Sequence, residues 1–368
     1  MEIIKTYKYR LRLNKLQQQR IDAWINTCRA IYNLALETKI YAYRSNKKNL
    51  SAFDLMKQLT DLRHEFDWVT DVPINIEEDA IERMDKAYKS FFRGGGFPKF
   101  QKKLNYNSIT LKHGVKKVCD GGFKLCKIGT VRIYKDRPIQ GELRRATITR
   151  KNNKYYICIL TKQEREIIPN ANNNQVGIDM GLAFFASLSD GTQIENPRHT
   201  LKYAKRLRIA QRSLARKVKE SNHWSKQKLL IGKLQEKIAN VRADFLHKNS
   251  ITIVSKFNFI AVENLNVKGM VRNGNLAKHI SDASWSEFFR QLEYKSQWNG
   301  CEFVKIDPKY TSQTCNECGY TNKMSRVSQS KFVCTHCGIE ANADVNAAKN
   351  ILGRGMAFIR QREAVACA

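Results

Sequence analysis

Cys315, Cys318, Cys334 and Cys337 form two Cys-x-x-Cys pairs separated by fifteen residues. Four thiolates at this spacing are the donor set of a tetrahedral zinc site, and a glycine one residue beyond each pair (Gly319, Gly338) permits the tight knuckle such a site needs. One structural Zn²⁺ is the expected occupant; an iron–sulfur cluster or redox-active pairs are the competing uses of the same residues. His336 lies inside the second knuckle as a substitute ligand, although four thiolates already complete the shell.

Three acids stand apart from the rest. Asp179, in VGIDMG, interrupts an apolar strand between Gly177 and Gly181. A lone acid there costs several kcal/mol unless it is paired, protonated or metal-bound. Its plainer role would be to cap the turn at Gly181. Glu263, in FIAVENLN, repeats the situation at the end of a second apolar strand, where open α/β sheets place ligand chemistry. Asp344 follows the last cysteine by seven residues and opens an alanine-rich helical segment, where a simple N-cap is the alternative. Carboxylates are the hard oxygen ligands Mg²⁺ requires, and two ions roughly 3.5–4 Å apart can bind a scissile phosphate and stabilise both attacking and leaving oxygens. Asp179, Glu263 and Asp344 are therefore candidate catalytic residues and Mg²⁺ ligands for phosphodiester chemistry.

The charge of the chain supplies the substrate class. Lys+Arg number 65 against 34 Asp+Glu, a net charge of +31 in 368 residues. Such an excess calls for a polyanion, and nucleic acid is the usual one. An anionic membrane is the competitor, but membrane anchors concentrate their charge locally, and here it is spread along the chain. No apolar run approaches the ~18 residues of a membrane helix. The opening MEIIKTYKYRLRL alternates charged and apolar residues and reads as neither signal nor transit peptide, so a cytoplasmic protein is expected. The scattered Cys28, Cys119, Cys126, Cys158, Cys301 and Cys367 then read as thiols rather than a disulfide framework.

These residues must be positioned by two different kinds of segment. Tyr7–Leu13 alternates as a half-buried strand, and from Lys15 the period turns helical, with Ile21, Trp24, Ile25, Cys28 and Ile31 on one face. Further helices are expected near Leu55–Phe66 and Glu77–Phe92, ending at Gly94–Gly96. Strands resume in FKLCKIGTVRIYKD and RATITRKNNKYYICILTK, the latter turning at Asn152-Asn153. The expectation is a small β-barrel from Tyr7–Leu13 and about Ser108–Lys162, with a helical insertion. The polar stretch Ile167–Gln175 reads as the domain boundary. Beyond it, VGIDMGLAFFASLSDGTQIEN reads as three strands, and residues 198–248 carry fifteen Lys/Arg against three Asp/Glu on two long helices interrupted by ESNHWSKQ. A buried strand at Phe259–Glu263, a helix at Trp285–Trp298 and the strand CEFVKIDP follow. Lys99, Lys102, Lys103 and Lys112 are candidate phosphate contacts on charge alone, and Lys323, Arg326 and Lys331 in the cysteine loop are compatible with backbone contact to nucleic acid.

The motifs GIDMG, AVENL, YTSQTCNECG, CTHCG and ADVNAAKNIL, in this order, resemble the TnpB proteins of insertion-sequence transposons, compact relatives of the type V CRISPR nucleases. AYKSFFRGGGFPKFQKK and HISDASWSEFFRQLEYK extend the resemblance over nearly the whole chain. It implies a multidomain α+β fold: a wedge-type β-barrel (residues 1–14 and 100–168) with an inserted helical recognition lobe (15–99), then a RuvC-type, ribonuclease H-like nuclease domain (176–308 and 341–353) with an inserted zinc ribbon (309–340) and a mobile tail (354–368). It further implies RNA-guided cleavage of double-stranded DNA beside a short flanking motif, with Asp179, Glu263 and Asp344 as catalytic acids holding Mg²⁺ and the four cysteines holding Zn²⁺. The partners would be a guide RNA from the transposon end and target DNA, in a monomer that joins the nucleoid when bound to DNA. A guided repressor without cleavage and a strand-transferring transposase are the alternatives; the presence of all three acids argues against the first.

Overall fold

In the first strand Ile3, Tyr7, Tyr9 and Leu11 are buried while Lys8, Arg10 and Arg12 are exposed, the period-2 pattern of a sheet with one wet face. The computed structural model describes residues 1–119, 121–164, 166 and 173–366; most of the expected boundary stretch, residues 167–172, lies outside them. The chain divides into two units, Met1–Arg165 and Glu166–Ala368.

The first unit holds seven strands: β1 (Glu2–Arg12), β2 (Ser108–Leu111), β3 (Val115–Cys119), β4 (Gly122–Leu125), β5 (Gly129–Tyr134), β6 (Glu142–Lys151) and β7 (Lys154–Glu164). Their order is β2-β6-β7-β1-β5-β4-β3, and every pairing is antiparallel. β6 and β7 turn at Asn152 and Asn153, both left-handed (φ 50° and 59°), as a two-residue hairpin requires. Between β1 and β2 the chain forms α1 (Lys15–Asn46), α2 (Ala52–Glu65), α3 (Asp67–Thr70) and α4 (Ile74–Phe92). Capping boxes start α1 (Asn14 with Gln17) and α2 (Ser51 with Asp54). The α1 stripe Ile21, Trp24, Ile25, Cys28 joins one core with Phe123, Leu125, Ile157 and Ile159 of the sheet.

The second unit contains β8 (Gln175–Met180), β9 (Phe184–Leu188), β10 (Gln193–Glu195), α5 (His199–Ala215), α6 (Asn222–Lys256), β11 (Phe259–Glu263), α7 (Val267–Met270), α8 (Gly274–Ala283), α9 (Trp285–Asn299) and β12 (Glu302–Ile306). Its five-stranded sheet runs β10-β9-β8-β11-β12, antiparallel through β8 and parallel from β8 to β12. A short ribbon, β13 (Lys331–Val333) with β14 (Glu340–Asn342), leads into α10 (Ala343–Ala366).

Strand alternation assigns the two faces of this sheet. Val176, Ile178, Ile260 and Val262 pack with Leu246 and Ile253 of α6 and Phe288 and Leu292 of α9. Phe259 and Ala261 pack with Ile351 of α10 on the other face. A Cβ on Gly177 would stand 2.0 Å from the carbonyl oxygen of Ala348, so α10 lies directly against β8.

Two expectations are corrected. Residues 354–366 are not a separate tail: they continue α10, with Met356 and Ile359 against the β11–β12 face and Arg362 paired with Glu302 at 2.8 Å. The apolar spacing Ile351, Leu352, Met356, Ile359 carries the helix past Gly353 and Gly355. The break between the two basic helices falls at residues 216–221, not across ESNHWSKQ; Ser221 accepts from the Trp224 N–H and Asn222 is already helical. No described helix is long and apolar enough to cross a membrane.

Candidate active site and zinc centre

Asp179 shares the face of β8 with Gly177, and Glu263 shares the face of β11 with Phe259 and Ala261, because alternate residues of a strand point the same way. β8 and β11 are parallel neighbours in register at Ile178 and Val262, so Asp179 and Glu263 occupy adjacent carboxyl-terminal ends on the side covered by α10. Asp344, second residue of α10, comes to the same place. The approach depends on Gly177, and on Gly355, where a Cβ would stand 2.6 Å from the Ala261 Cβ.

The electrostatics record this convergence. Burial, then the charges of Glu263 and Asp344, push the Asp179 carboxyl up to about 8, while Arg326 pulls it down. Burial also raises Glu263 and Asp344; the former is opposed by a hydrogen bond from Thr311 and the latter by the Arg326 charge. Thr311 Oγ1 donates to Glu263 Oε1 at 2.5 Å, and Arg326 Nη2 meets Asp344 Oδ1 at 3.0 Å.

The plainer roles for two of the acids do not hold. The α10 N-terminus is capped by Asn342, whose Oδ1 accepts from the N–H of Asp344 (3.0 Å) and of Val345 (3.1 Å). At the β8–β9 turn the Gly181 N–H goes to the Phe185 carbonyl, 3.3 Å away. Three clustered carboxylates with a single arginine bound to one of them fit a divalent-cation site by charge and by ligand hardness. They are looser than the cysteine group, which is the one set of three or more potential metal ligands drawn within 4.8 Å among the described residues.

In that group Cys315 and Cys337 Sγ lie 3.7 Å apart, and Cys318 and Cys334 3.6 Å. A tetrahedron with ~2.3 Å zinc–sulfur bonds has edges of about 3.8 Å, so the pocket fits zinc. Each knuckle closes by an N–H to carbonyl bond from its glycine, Gly319 to Cys315 and Gly338 to Cys334, both 3.0 Å, with φ of 75° and 74°. His336 instead stacks on Tyr320 (5.1 Å between ring centres) and leaves coordination to the thiolates.

The cysteine ribbon is bound to the acid-bearing helix. Asn346 donates to the Thr314 carbonyl (2.8 Å) and accepts from the Asn316 N–H (3.0 Å). Asn350 donates to the carbonyls of Thr311 (2.9 Å) and Thr314 (2.6 Å). Ala343 packs with Cys315, Phe332 and Cys334. Sequence reasoning placed Arg326 only as a nucleic-acid contact and missed Thr311, Asn342, Asn346 and Asn350. Three of the four lie in YTSQTCNECG and ADVNAAKNIL, so their signal was present but unassigned. Of the candidate lysines, Lys99, Lys102 and Lys103 are exposed with no ion-pair partner among the described residues, whereas Lys112 is held by Glu82 at 2.5 Å.

Comparison with known proteins matches three stretches of the chain. A family described as a probable transposase matches residues 158–274, a Cas12f1-like TNB domain matches 285–351, and a helix-turn-helix domain matches 1–48. A putative RNA-guided DNA endonuclease, InsQ of Escherichia coli (strain K12), is 34% identical over 384 residues, covering 99% of this chain and 96% of its own. The chain belongs to the TnpB family. Other similar members are a putative RNA-guided DNA endonuclease of Streptomyces pristinaespiralis, 29% identical over 97% of this chain and 90% of its own, and the TnpB-like protein L770 of Acanthamoeba polyphaga mimivirus, 25% identical over 96% and 74%. In this TnpB chain the TNB match runs from α9 through the ribbon to Ile351, and so takes in both the four cysteines and Asp344. Over residues 1–48 the chain forms β1 and the single unbroken helix α1 rather than two helices and a turn.

Proposed function

We propose that this chain is a metal-dependent, RNA-guided endonuclease that cuts double-stranded DNA beside a short flanking motif, with Asp179, Glu263 and Asp344 as its catalytic acids. The observation that carries the reading is the meeting of these acids from β8, β11 and α10 in a chain of net charge +31. The names of the relatives InsQ and the Streptomyces protein support it. So does the sheet order β10-β9-β8-β11-β12, consistent with a RuvC-type, ribonuclease H-like domain. The other parts follow the family layout: a wedge barrel from 1–14 and 100–168, a recognition lobe from 15–99, and a guide RNA transcribed from the transposon end.

When bound by the three carboxylates, Mg²⁺ (two ions) supplies charge stabilisation for the attacking and leaving oxygens of the phosphodiester. The residues of the chain do the positioning. Thr311 fixes one oxygen of Glu263 and leaves the other to act as a ligand. Arg326 neutralises Asp344 and brings a guanidinium to the place where a phosphate must enter. The basic faces of α5 and α6 attract the polyanion, and exposed Lys99, Lys102 and Lys103 add phosphate contacts. Sequence is read by base pairing to the guide, while the protein holds the backbone.

The test is co-expression with the flanking transposon DNA, purification, sequencing of bound RNA, then addition of a matched plasmid and Mg²⁺. The expected result is a discrete RNA and a double-strand break that Asp179→Ala abolishes while RNA and DNA binding persist. Absence of any discrete RNA would remove the guided reading; strand-transfer products without a guide would establish a transposase instead.

A further inference from the structure

From Asp307 to Gln313, between the end of β12 and the cysteine ribbon, the chain forms neither helix nor strand. It turns at Tyr310, whose backbone is left-handed (φ 61°) although the residue carries a bulky ring. That conformation is strained for any residue but glycine and persists only where surrounding contacts hold it. The turn sends the Tyr310 side chain out, 60% exposed, and Thr311 in, 2% exposed.

The contacts that hold the turn come from one face of α10. Asn346, Asn350 and Arg354 recur every four residues, which aligns them along the helix. Arg354 Nη1 donates to the carbonyls of Lys309 and Asp307, the latter at 3.5 Å. Asn350 Nδ2 donates to those of Thr311 (2.9 Å) and Thr314 (2.6 Å), and Asn346 Nδ2 also reaches Thr314 (2.8 Å). Just before the turn, the Ile306 carbonyl accepts from the Asn264 N–H at 2.8 Å, so the segment starts beside the residue that follows Glu263.

Thr311 links this hold to chemistry. Its hydroxyl has one proton and two acceptors in reach, Glu263 Oε1 at 2.5 Å and the Pro308 carbonyl at 2.9 Å. An ionised carboxylate makes the stronger, charge-assisted bond, but only while the backbone keeps Oγ1 against Oε1. A shift of the turn hands the proton to Pro308 and lets the carboxylate rotate. We infer that Arg354 and Asn350 are positioning residues for Glu263, acting through Thr311, so that the helix carrying Asp344 also orients the acid of β11. The inference rests on the reading of the three acids as a metal site, and it adds to that site two residues outside its carboxylates.

The test is Mn²⁺ binding to the full, zinc-loaded chain cleared of nucleic acid, read from the electron paramagnetic resonance signal of unbound Mn²⁺ and requiring no cleavage. Thr311→Val keeps the shape of the side chain without its hydroxyl, Thr311→Ser restores the hydroxyl, and Arg354→Met removes the guanidinium. Melting temperature and zinc content check the fold of each. The expected result is about a tenfold loss of Mn²⁺ affinity in Thr311→Val and recovery to within about twofold in Thr311→Ser. Arg354→Met should lose about three- to fivefold alone and nothing further when added to Thr311→Val, because both act through one hydroxyl.

The sign of the Arg354→Met effect separates two routes. Burial raises the Glu263 carboxyl, and the Thr311 hydrogen bond and then the Arg354 charge oppose it, so the guanidinium is felt at the acid. Removing a cation that acted by charge alone would tighten Mn²⁺ binding rather than weaken it. Arg354 is partly exposed, so its variant decides the sign even if Thr311→Val does not fold. Tighter binding in Arg354→Met, losses that multiply in the double variant, or wild-type affinity in Thr311→Val would each overturn the inference. If Asp179→Ala binds Mn²⁺ as tightly as wild type, the metal-site reading itself fails first, which is a distinguishable outcome.

Discussion

Arg326 of the cysteine ribbon and Asp344 of α10 are joined by an ion pair at 3.0 Å, with side chains 30% and 15% exposed. The guanidinium therefore occupies the same carboxylate that the proposed metal site requires. Cation and metal compete for Asp344, and Arg326→Gln removes the competitor. The expected outcome is a Mg²⁺ concentration for half-maximal cleavage lowered roughly three- to tenfold, with a stability change of only about 1 kcal/mol for a partly exposed pair. A Mg²⁺ titration of plasmid cleavage reads it; a raised requirement would show that Arg326 assists metal binding instead.

The ribbon meets α10 through Asn346, Asn350 and Ala343, so it acts first on the position of Asp344. Cys315→Ser and Cys337→Ser should each release zinc, measured by elemental analysis, and lower cleavage by at least tenfold while guide-RNA affinity stays within about twofold; a loss of a structural thiolate removes folding energy locally. The reverse order, RNA binding lost before cleavage, would make the ribbon an independent nucleic-acid finger.

Glycines in α10 and β8 separate packing from propensity. Gly177→Ala would place a methyl 2.0 Å from the Ala348 carbonyl oxygen and push the helix that carries Asp344 off the sheet. The expected cost is about 2–3 kcal/mol, with cleavage falling further than stability. Gly353, exposed and helical with nothing within 4 Å of its would-be Cβ, should gain about 0.5–1 kcal/mol as alanine and keep full activity. Urea denaturation and cleavage rates on both variants check the pair; equal effects would remove Gly177 from the site's support.

What could be read from the amino-acid string depended on how local the cause was. The cysteine spacing and the glycine after each knuckle are local, and so are the alternations that mark β8 and β11; these gave the cysteine group and the strand ends of Asp179 and Glu263. Asp344 was found through its place after the ribbon, but its release from capping was not legible, since Asn342 two residues earlier is an equally good cap. Arg326 reaches Asp344 across eighteen residues of ribbon, and Thr311 reaches Glu263 across forty-eight, distances at which spacing carries no periodic signal. The course of α10 beyond Arg354 was hidden by two glycines whose smallness serves tight packing at Gly355 rather than chain reversal. Glu82, which engages Lys112, lies in a helix thirty residues away.

Lys295 provides a pH test independent of the acids. It is 8% exposed between α9 and α6, donating to Ser250 Oγ (2.7 Å) and the His247 carbonyl (3.0 Å), and burial pulls its ammonium down to about 8. A folded value below the ~10.4 of a free lysine means that the unfolded chain binds more protons between pH 8 and 10.4. Stability contributed by this site is therefore fully present above that window and is lost progressively as pH falls through it to about 8, by about 3 kcal/mol. Lys295→Met keeps the length of the side chain without the charge, and Ser250 Oγ retains Leu246 O (2.6 Å) and Gln291 Oε1 (2.9 Å). Urea unfolding at pH 7, 8, 9, 10 and 11 should give a wild-type-minus-variant difference that is flat below about 8, rises with pH across the window and flattens above about 10.4, which cancels the other titrating groups. A flat difference would mean that Lys295 keeps its proton on folding with no net penalty, and that its two hydrogen bonds fully replace the water it gave up.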